Sequence, residues 1–250
     1  MFDLRVAVLS DIHGNRWALE AVLEDIKRRG ISDLVNLGDV FYGPLDPSGT
    51  AHLLKDFSIP TVCGNQDRIL LGTHEEGEGN PTLEYVHQSL KLSEFRWLNG
   101  LEMTAVAYDS FFLCHGRPDR DDAYLLREVE DGFVSLRKSS ALMAELSCVE
   151  QPVILCGHDH VPRSVSLPDG RLIVNPGSVG LPANSDDLPF PHVMETGTPH
   201  ARYSIVSREK TGCWVEDIAV PYDWESAGAA AMTHGRPDWA EWLRTGRARV

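Results

Sequence analysis

Five apolar runs in this chain end at glycine-containing turns, and each turn carries a carboxylate, a carboxamide or an imidazole. In chain order these are Asp11 and His13, then Asp39, then Asn65, then His115, then His158 and His160. No bulk property constrains the fold as strongly. In open α/β sheets ligands gather in the crevice beyond the carboxyl ends of the strands, so side chains distant in sequence can meet at one place.

The runs are placed by periodicity and turn chemistry. The first strand is expected over 4–10 and an amphipathic helix over 16–29, where Trp17, Ala18, Ala21, Val22, Leu23 and Ile26 recur at helical spacing. Strands are expected over 34–37 and 60–63, with a helix over 48–57 between them. Helices over 83–92 and 94–98 precede a hairpin of 103–107 and 111–115. After a strand over 153–156 comes a hairpin of 163–167 and 171–175, turning on Pro168-Asp169-Gly170. Strands over 203–207 and 214–220 follow, then a tail of two short helices split by Gly235 and Pro237. The stretch 182–199 holds four prolines and little periodicity, and is expected to be a long surface loop. Early βα units followed by hairpins imply two packed sheets with helices outside. The expectation is a single domain over 1–250 with a helical tail from about 222.

The formal charge of −14 disfavours a nucleic-acid polymer or an anionic membrane as partner. A small anion can still bind where cations reverse the local sign. No stretch approaches the roughly 18 apolar residues of a membrane span, and the N-terminus lacks the pattern of a secretory signal. The expected location is the cytoplasm. The five cysteines are odd in number and lack CxxC spacing, so neither a disulfide framework nor a zinc knuckle is indicated. Cys63, Cys114 and Cys156 directly precede site turns. They read better as compact buried residues than as ligands.

Carboxylate and imidazole together suit Mn, Fe, Zn, Co or Ni better than a bare Mg or Ca cage. A carboxylate such as Asp39 has two oxygens and can bridge two ions about 3.5 to 4 Å apart.

The order and spelling of the turns, DIHGN at 11–15, LGD at 37–39, GNQD at 64–67, CHG at 114–116 and GHDH at 157–160, resemble the calcineurin-like metallophosphoesterase superfamily. NPGSVGLP at 175–182 and VPYDWESA at 220–227 look like its small bacterial phosphodiesterase branch, so the resemblance covers nearly the whole chain. It implies an α/β fold, a four-layer αββα sandwich of two mixed β-sheets flanked by helices. It also implies two divalent metal ions, one held by Asp11, His13 and His160, the other by Asn65, His115 and His158, with Asp39 shared. Asp39, Asn65 and His115 are the catalytic candidates. The implied reaction is hydrolysis of a small phosphate ester by a hydroxide bridging the metals.

Two divalent ions bring four positive charges, and Asp11, Asp39 and one hydroxide return three, leaving a site of about +1. Where many family members carry His after the Gly-Asn pair, this chain has Gln66, which cannot donate a proton as an acid. The expectation is a preference for leaving groups that need little protonation, or a substitute acid elsewhere.

Further candidates carry two readings each. Asn15 contacts substrate phosphate or caps the first helix. Arg117 contacts phosphate or forms a surface ion pair. Asp67 orients its neighbours or caps a helix, and Asp159 faces away from the site. His192 and His200 are expected as surface loop residues rather than substrate contacts. His52, His74, His87 and His234 read as structural or exposed. Trp224, Trp239 and Trp242 dock the final helices or form a partner interface. The rivals to a phosphodiesterase are a phosphomonoesterase or protein phosphatase of the same fold, and a metal-binding interaction module without turnover. Oligomeric state is open.

Overall fold

The structure is a computed structural model, and it describes residues 4–72, 79–209 and 212–249. The first half runs β1 (Leu4–Leu9), α1 (Arg16–Arg28), β2 (Asp33–Asn36), α2 (Pro47–Leu54), α3 (Asn65–Leu71), α4 (Pro81–Ser89), α5 (Leu92–Leu98), β3 (Thr104–Ala107) and β4 (Phe111–Cys114). There follow β5 (Arg127–Glu130), β6 (Phe133–Leu136), α6 (Ser139–Glu145), β7 (Val153–Leu155), β8 (Arg163–Ser166) and β9 (Leu172–Asn175). The chain continues through β10 (Ala183–Asp186), β11 (His192–Glu195), β12 (Ala201–Glu209), β13 (Gly212–Val220), α7 (Trp224–Thr233) and α8 (Pro237–Thr245).

Two large sheets form, a four-stranded one in the order β13-β12-β1-β2 and a five-stranded one in the order β3-β4-β7-β9-β8. Both are mixed: β1 pairs parallel with β2 and antiparallel with β12, and β7 pairs parallel with β4 and β9 while the outer hairpins are antiparallel.

Alternation along each strand explains why the sheets stack. Successive side chains point to opposite faces of a strand. Val6 and Val8 of β1, Val35 of β2, Phe111 and Leu113 of β4, Val153 and Leu155 of β7 and Val174 of β9 share the core between the sheets. The intervening residues of the first sheet, Ala7, Leu9 and Leu34, face a second core with Ala18, Leu19, Val22 and Ile26 of α1 and with α7 and α8. On the other side Cys114, Ile154 and Ile173 pack on Leu142 of α6 and on Leu125 and Leu126. Two faces buried per strand give the continuous apolar runs seen in the sequence. Each fully buried Val, Leu or Phe stabilises the stack by about 1.5–3 kcal/mol. The layers are helix, sheet, sheet, helix, the expected αββα sandwich.

Two expectations are corrected. Run 60–63 contributes only an isolated bridge between Thr61 and Asn36, not a strand. The stretch 182–199 is not a loop throughout, because β10 and β11 pair as a separate antiparallel hairpin. Their polar, proline-flanked sequences lack the alternation that reveals a strand. The hairpin of β5 and β6 and helices α3 and α6 escape periodicity for the same reason, being short and only partly apolar. His74 lies outside the described residues. No helix among them is long and apolar enough to cross a membrane.

Candidate metal centre

The loops after β1, β2, β4 and β7 lie side by side and are stitched by backbone hydrogen bonds. Asp11 N donates to Gly38 O at 3.0 Å, His13 N to Asp39 O at 2.9 Å, and Gly157 N to His115 O at 2.7 Å. Two glycines permit this approach: a Cβ on Gly64 would stand 2.1 Å from Asp39 Oδ1, and one on Gly180 would stand 1.8 Å from Ile12 O. Asp11, His13, Asp39, His158 and His160 all have positive φ, between 52° and 70°. For non-glycine residues this left-handed conformation is unfavourable, and such residues gather where surrounding structure fixes them for a task.

The three histidines at the centre are oriented alike. Nδ1 of His13 meets Tyr42 O at 3.0 Å, that of His115 meets Leu37 O at 2.7 Å, and that of His160 meets Leu181 O at 2.8 Å. A carbonyl only accepts, so Nδ1 carries the proton and Nε2 presents its lone pair inward. The carboxylates are half-anchored. Asp11 Oδ2 accepts from Ser10 Oγ at 2.5 Å and from His158 N at 3.2 Å, whereas Oδ1 is buried without a hydrogen-bond partner. That orphaned oxygen lies 3.3 Å from His160 Nε2 and 3.9 Å from Nε2 of His13 and of His115. Asp39 Oδ1 accepts from Gln66 N at 2.8 Å, and its Oδ2 lies 3.4 Å from His115 Nε2.

Acceptors therefore converge on acceptors. The Nε2 atoms of His13 and His160 stand 3.1 Å apart, and His115 Nε2 stands 3.0 Å from Asn65 Oδ1. Such contacts are repulsive unless positive charge stands among them, so the donor set fits divalent cations. Among the described residues, two groups have ligand atoms within 4.8 Å of one another: Asp11, His13 and His160, and Asp11, Asp39 and His115. The carboxylate common to both is Asp11, whereas the resemblance assigns sharing to Asp39. Asn65 meets the second group through His115, and the half-buried His158 packs its ring 5.0 Å from that of His115.

Without cations, protons answer the same electrostatic demand. Burial disfavours a charged imidazole at His115, but Asp39 and Asp11 outweigh it and push its pKa up to about 10. His160 is raised in the same way, against burial, by Asp11. Burial and the neighbouring imidazolium of His160 push His13 down to about 4, and burial with His115 does the same to His158. Burial opposes ionisation of Asp11 and Asp39, yet the histidines hold both carboxyls below their ordinary range.

Supporting residues complete the site. Asp67 plays both expected parts: it accepts from Asp39 N at 2.7 Å and Val40 N at 2.9 Å, and from Gly64 N at the start of α3 at 3.1 Å. Asp159 accepts from Arg127 Nε at 3.3 Å and Asn175 Nδ2 at 2.8 Å. Asn15 has its carboxamide committed to the fold, accepting from Ala18 N and donating to Gly180 O and Tyr222 Oη. Arg117 pairs with Glu145 at 2.8 Å and Asp119 at 3.2 Å, yet lines a cavity that also touches Asn65 and His158. His192 is a correction: it is 1% exposed, and its Nε2 shares a 3.0 Å hydrogen bond with Tyr124 Oη. His200 packs against Trp224.

Sequence reasoning missed Tyr124, whose ring lies 4.8 Å from that of His158, and Arg127. Neither sits in a recognisable motif. Trp239 was assigned to docking, and it also packs edge-on against His13 at 5.7 Å. Cys114 and Cys156 are buried, with thiols pushed up by burial, and take no part.

Comparison with known proteins agrees with this geometry. The family model of the calcineurin-like phosphoesterase superfamily domain matches residues 4–195. An uncharacterized protein from Methanocaldococcus jannaschii is 26% identical, with 96% of each chain covered. The crystal structure of a metallophosphoesterase from Sphaerobacter thermophilus aligns with a TM-score of 0.75 at 24% identity, covering 98% of this chain and 100% of the other. A hypothetical protein from Pyrococcus horikoshii aligns with a TM-score of 0.71 at 21% identity, covering 98% and 99%. With the family matched over most of its length and the family's ligand types converging in its loops, the chain belongs to the calcineurin-like phosphoesterase superfamily and is a metal-dependent phosphoric ester hydrolase.

Proposed function

We propose that the protein is a phosphodiesterase for a small phosphate ester, working with two divalent transition-metal ions held by Asp11, His13, Asp39, Asn65, His115, His158 and His160. The observation that carries this reading is the buried, unpartnered Asp11 Oδ1 facing three inward imidazole nitrogens. Bound there, two such ions would polarise the phosphoryl oxygens and lower the pKa of the attacking water. Four imidazoles beside two carboxylates and one carboxamide favour Mn, Fe, Zn, Co or Ni over Mg or Ca.

The chain's own residues orient and enclose. Carbonyls of residues 37, 42 and 181 fix three imidazole rings, and Asp67 fixes the backbone that carries Asp39. A cavity of about 170 Å³ opens on Asp39, Asn65, Gln66, His158 and His160, with room for a phosphoryl group. Gln66 stands at its wall with Oε1 buried and unpartnered. Its carboxamide can hold a leaving group by hydrogen bonding but cannot protonate it. All five cysteines are free, which supports a reducing compartment such as the cytoplasm.

The test is hydrolysis of bis-p-nitrophenyl phosphate beside p-nitrophenyl phosphate, with added manganese, before and after chelation. Metal-dependent turnover favouring the diester is expected. Folded, metal-replete protein that hydrolyses neither ester would overturn the reading in favour of an interaction module. A preference for the monoester would replace diesterase with monoesterase.

A further inference from the structure

A second cavity, of about 620 Å³, adjoins the first and shares Asn65, Tyr124, His158 and Asp186 with it. The largely buried Arg117, Arg127 and Arg137 line it, beside the exposed Arg120, which pairs with Asp122 at 2.8 Å. In a chain of net charge −14, three largely buried guanidinium groups gathered beside a candidate metal centre require an account. Their side chains are 28%, 11% and 15% exposed. The acidic residues on the same wall, Asp122, Glu128 and Asp186, are exposed to solvent. Exposed charges are screened by water and salt more than half-buried ones, and the three arginines outnumber by one the two buried carboxylates that pair with them, Asp159 and Glu145, so the interior keeps a positive charge.

Arg127 is the informative member. Its Nε donates to Asp159 Oδ2 at 3.3 Å. Nη1 and Nη2 have no hydrogen-bond partner among the described residues and are not among the atoms sealed from solvent. Asp159, between His158 and His160, is itself held by Asn175 Nδ2 and Val161 N. The guanidinium is thus anchored at one corner to the loop that carries two metal-ligand candidates, and its remaining fork is unused. Glu145 clamps its neighbours, meeting Arg117 at 2.8 Å and Arg137 at 3.1 Å. A fixed, planar fork with free N–H groups matches phosphate or carboxylate oxygens in pairs.

We propose that this cavity is a subsite for a second anionic group, so that the substrate carries a phosphate or similar anion in addition to the one being hydrolysed, read chiefly by Arg127. The inference rests on the phosphoesterase reading, since it places the scissile phosphate at the neighbouring metal centre. Two sources share this chemistry: adjoining phosphates, as in a phosphoanhydride, and separate phosphates on one sugar.

Equilibrium binding to the manganese-loaded protein, measured by calorimetry, tests it apart from turnover. α,β-Methylene-ADP is compared with AMP, and fructose 1,6-bisphosphate with fructose 6-phosphate. The parent should bind the doubly phosphorylated member of at least one pair on the order of tenfold more tightly, as charge-assisted hydrogen bonds would give. The pair that shows the gain identifies the spacing. Arg127→Gln should abolish the gain and Arg127→Lys should keep part of it. Should the unpaired Asp159 prevent Arg127→Gln from folding, Arg127→Gln combined with Asp159→Asn removes both charges and carries the same expectation. Equal affinities within both pairs in the parent, or a gain that survives these substitutions, would overturn the subsite. Failure of all four ligands together with failure to hydrolyse bis-p-nitrophenyl phosphate would instead remove the phosphoesterase reading on which it stands.

Discussion

Gly64 lacks a side chain because Asp39 occupies the space: a Cβ there would stand 2.1 Å from Oδ1 and 2.5 Å from the backbone N of that residue. Gly64→Ala should therefore displace Asp39, destabilise the fold by about 1–3 kcal/mol and lower kcat/KM at least tenfold, measured by urea unfolding and by turnover. Asp11 and Asp39 are separable by metal content. Since Asp11 is the carboxylate common to both ligand groups, Asp11→Asn should lower bound metal per chain more than Asp39→Asn does, by elemental analysis after purification without chelator. At Gln66, Gln66→His should raise the rate on an alkyl phosphodiester relative to an aryl one; an unchanged ratio would remove the leaving-group argument. The seven candidate ligands were legible because each stands in an ordered, spelled motif, six of them just past a strand and Asn65 at the start of α3. Arg127, Tyr124 and Trp239 were not, because their roles come from three-dimensional proximity: a free guanidinium fork, a ring against His158, an edge against His13.

Helix α1 joins β12 through one carboxylate. Asp25 accepts from Tyr203 Oη at 2.7 Å and from Arg29 Nε at 2.7 Å, with Arg28 at 3.0 Å. Burial alone would raise its pKa, but the hydroxyl of Tyr203 and the two arginines overcome this and hold it below its ordinary value. A carboxyl depressed on folding adds stability above its unfolded pKa, near 4, and loses it as pH falls through the lower folded value. Asp25→Asn should cost about 1–2 kcal/mol at pH 7, and the gap between variant and parent should close below about pH 4, in denaturant titrations at several pH values. At this scale the doubly buried strands β1, β4, β7 and β9 and the 3.6-residue rhythm of α1 were readable. The hairpins β5-β6 and β10-β11 were not. Strands such as Ala183–Asp186, with only one of four residues buried, carry no alternation to read, and their pairing is decided by the surfaces they cover.

The site as a whole stands where two sheets meet, with five ligand candidates in left-handed backbone and like-natured ligand atoms facing one another. Cations that neutralise the facing ligand atoms should couple strongly to folding. At free metal 100 times its Kd, binding adds about 2.7 kcal/mol, so chelation should lower Tm on the order of 5–10 °C, by calorimetry with and without EDTA. The four layers followed from the order of βα units and hairpins, whereas the contribution of the tail did not. The family match ends at residue 195, yet β12 lies beside β1 at the middle of the first sheet, and Trp239 leans on His13. During translation, every residue matched by the family model emerges from the ribosome before that sheet can close.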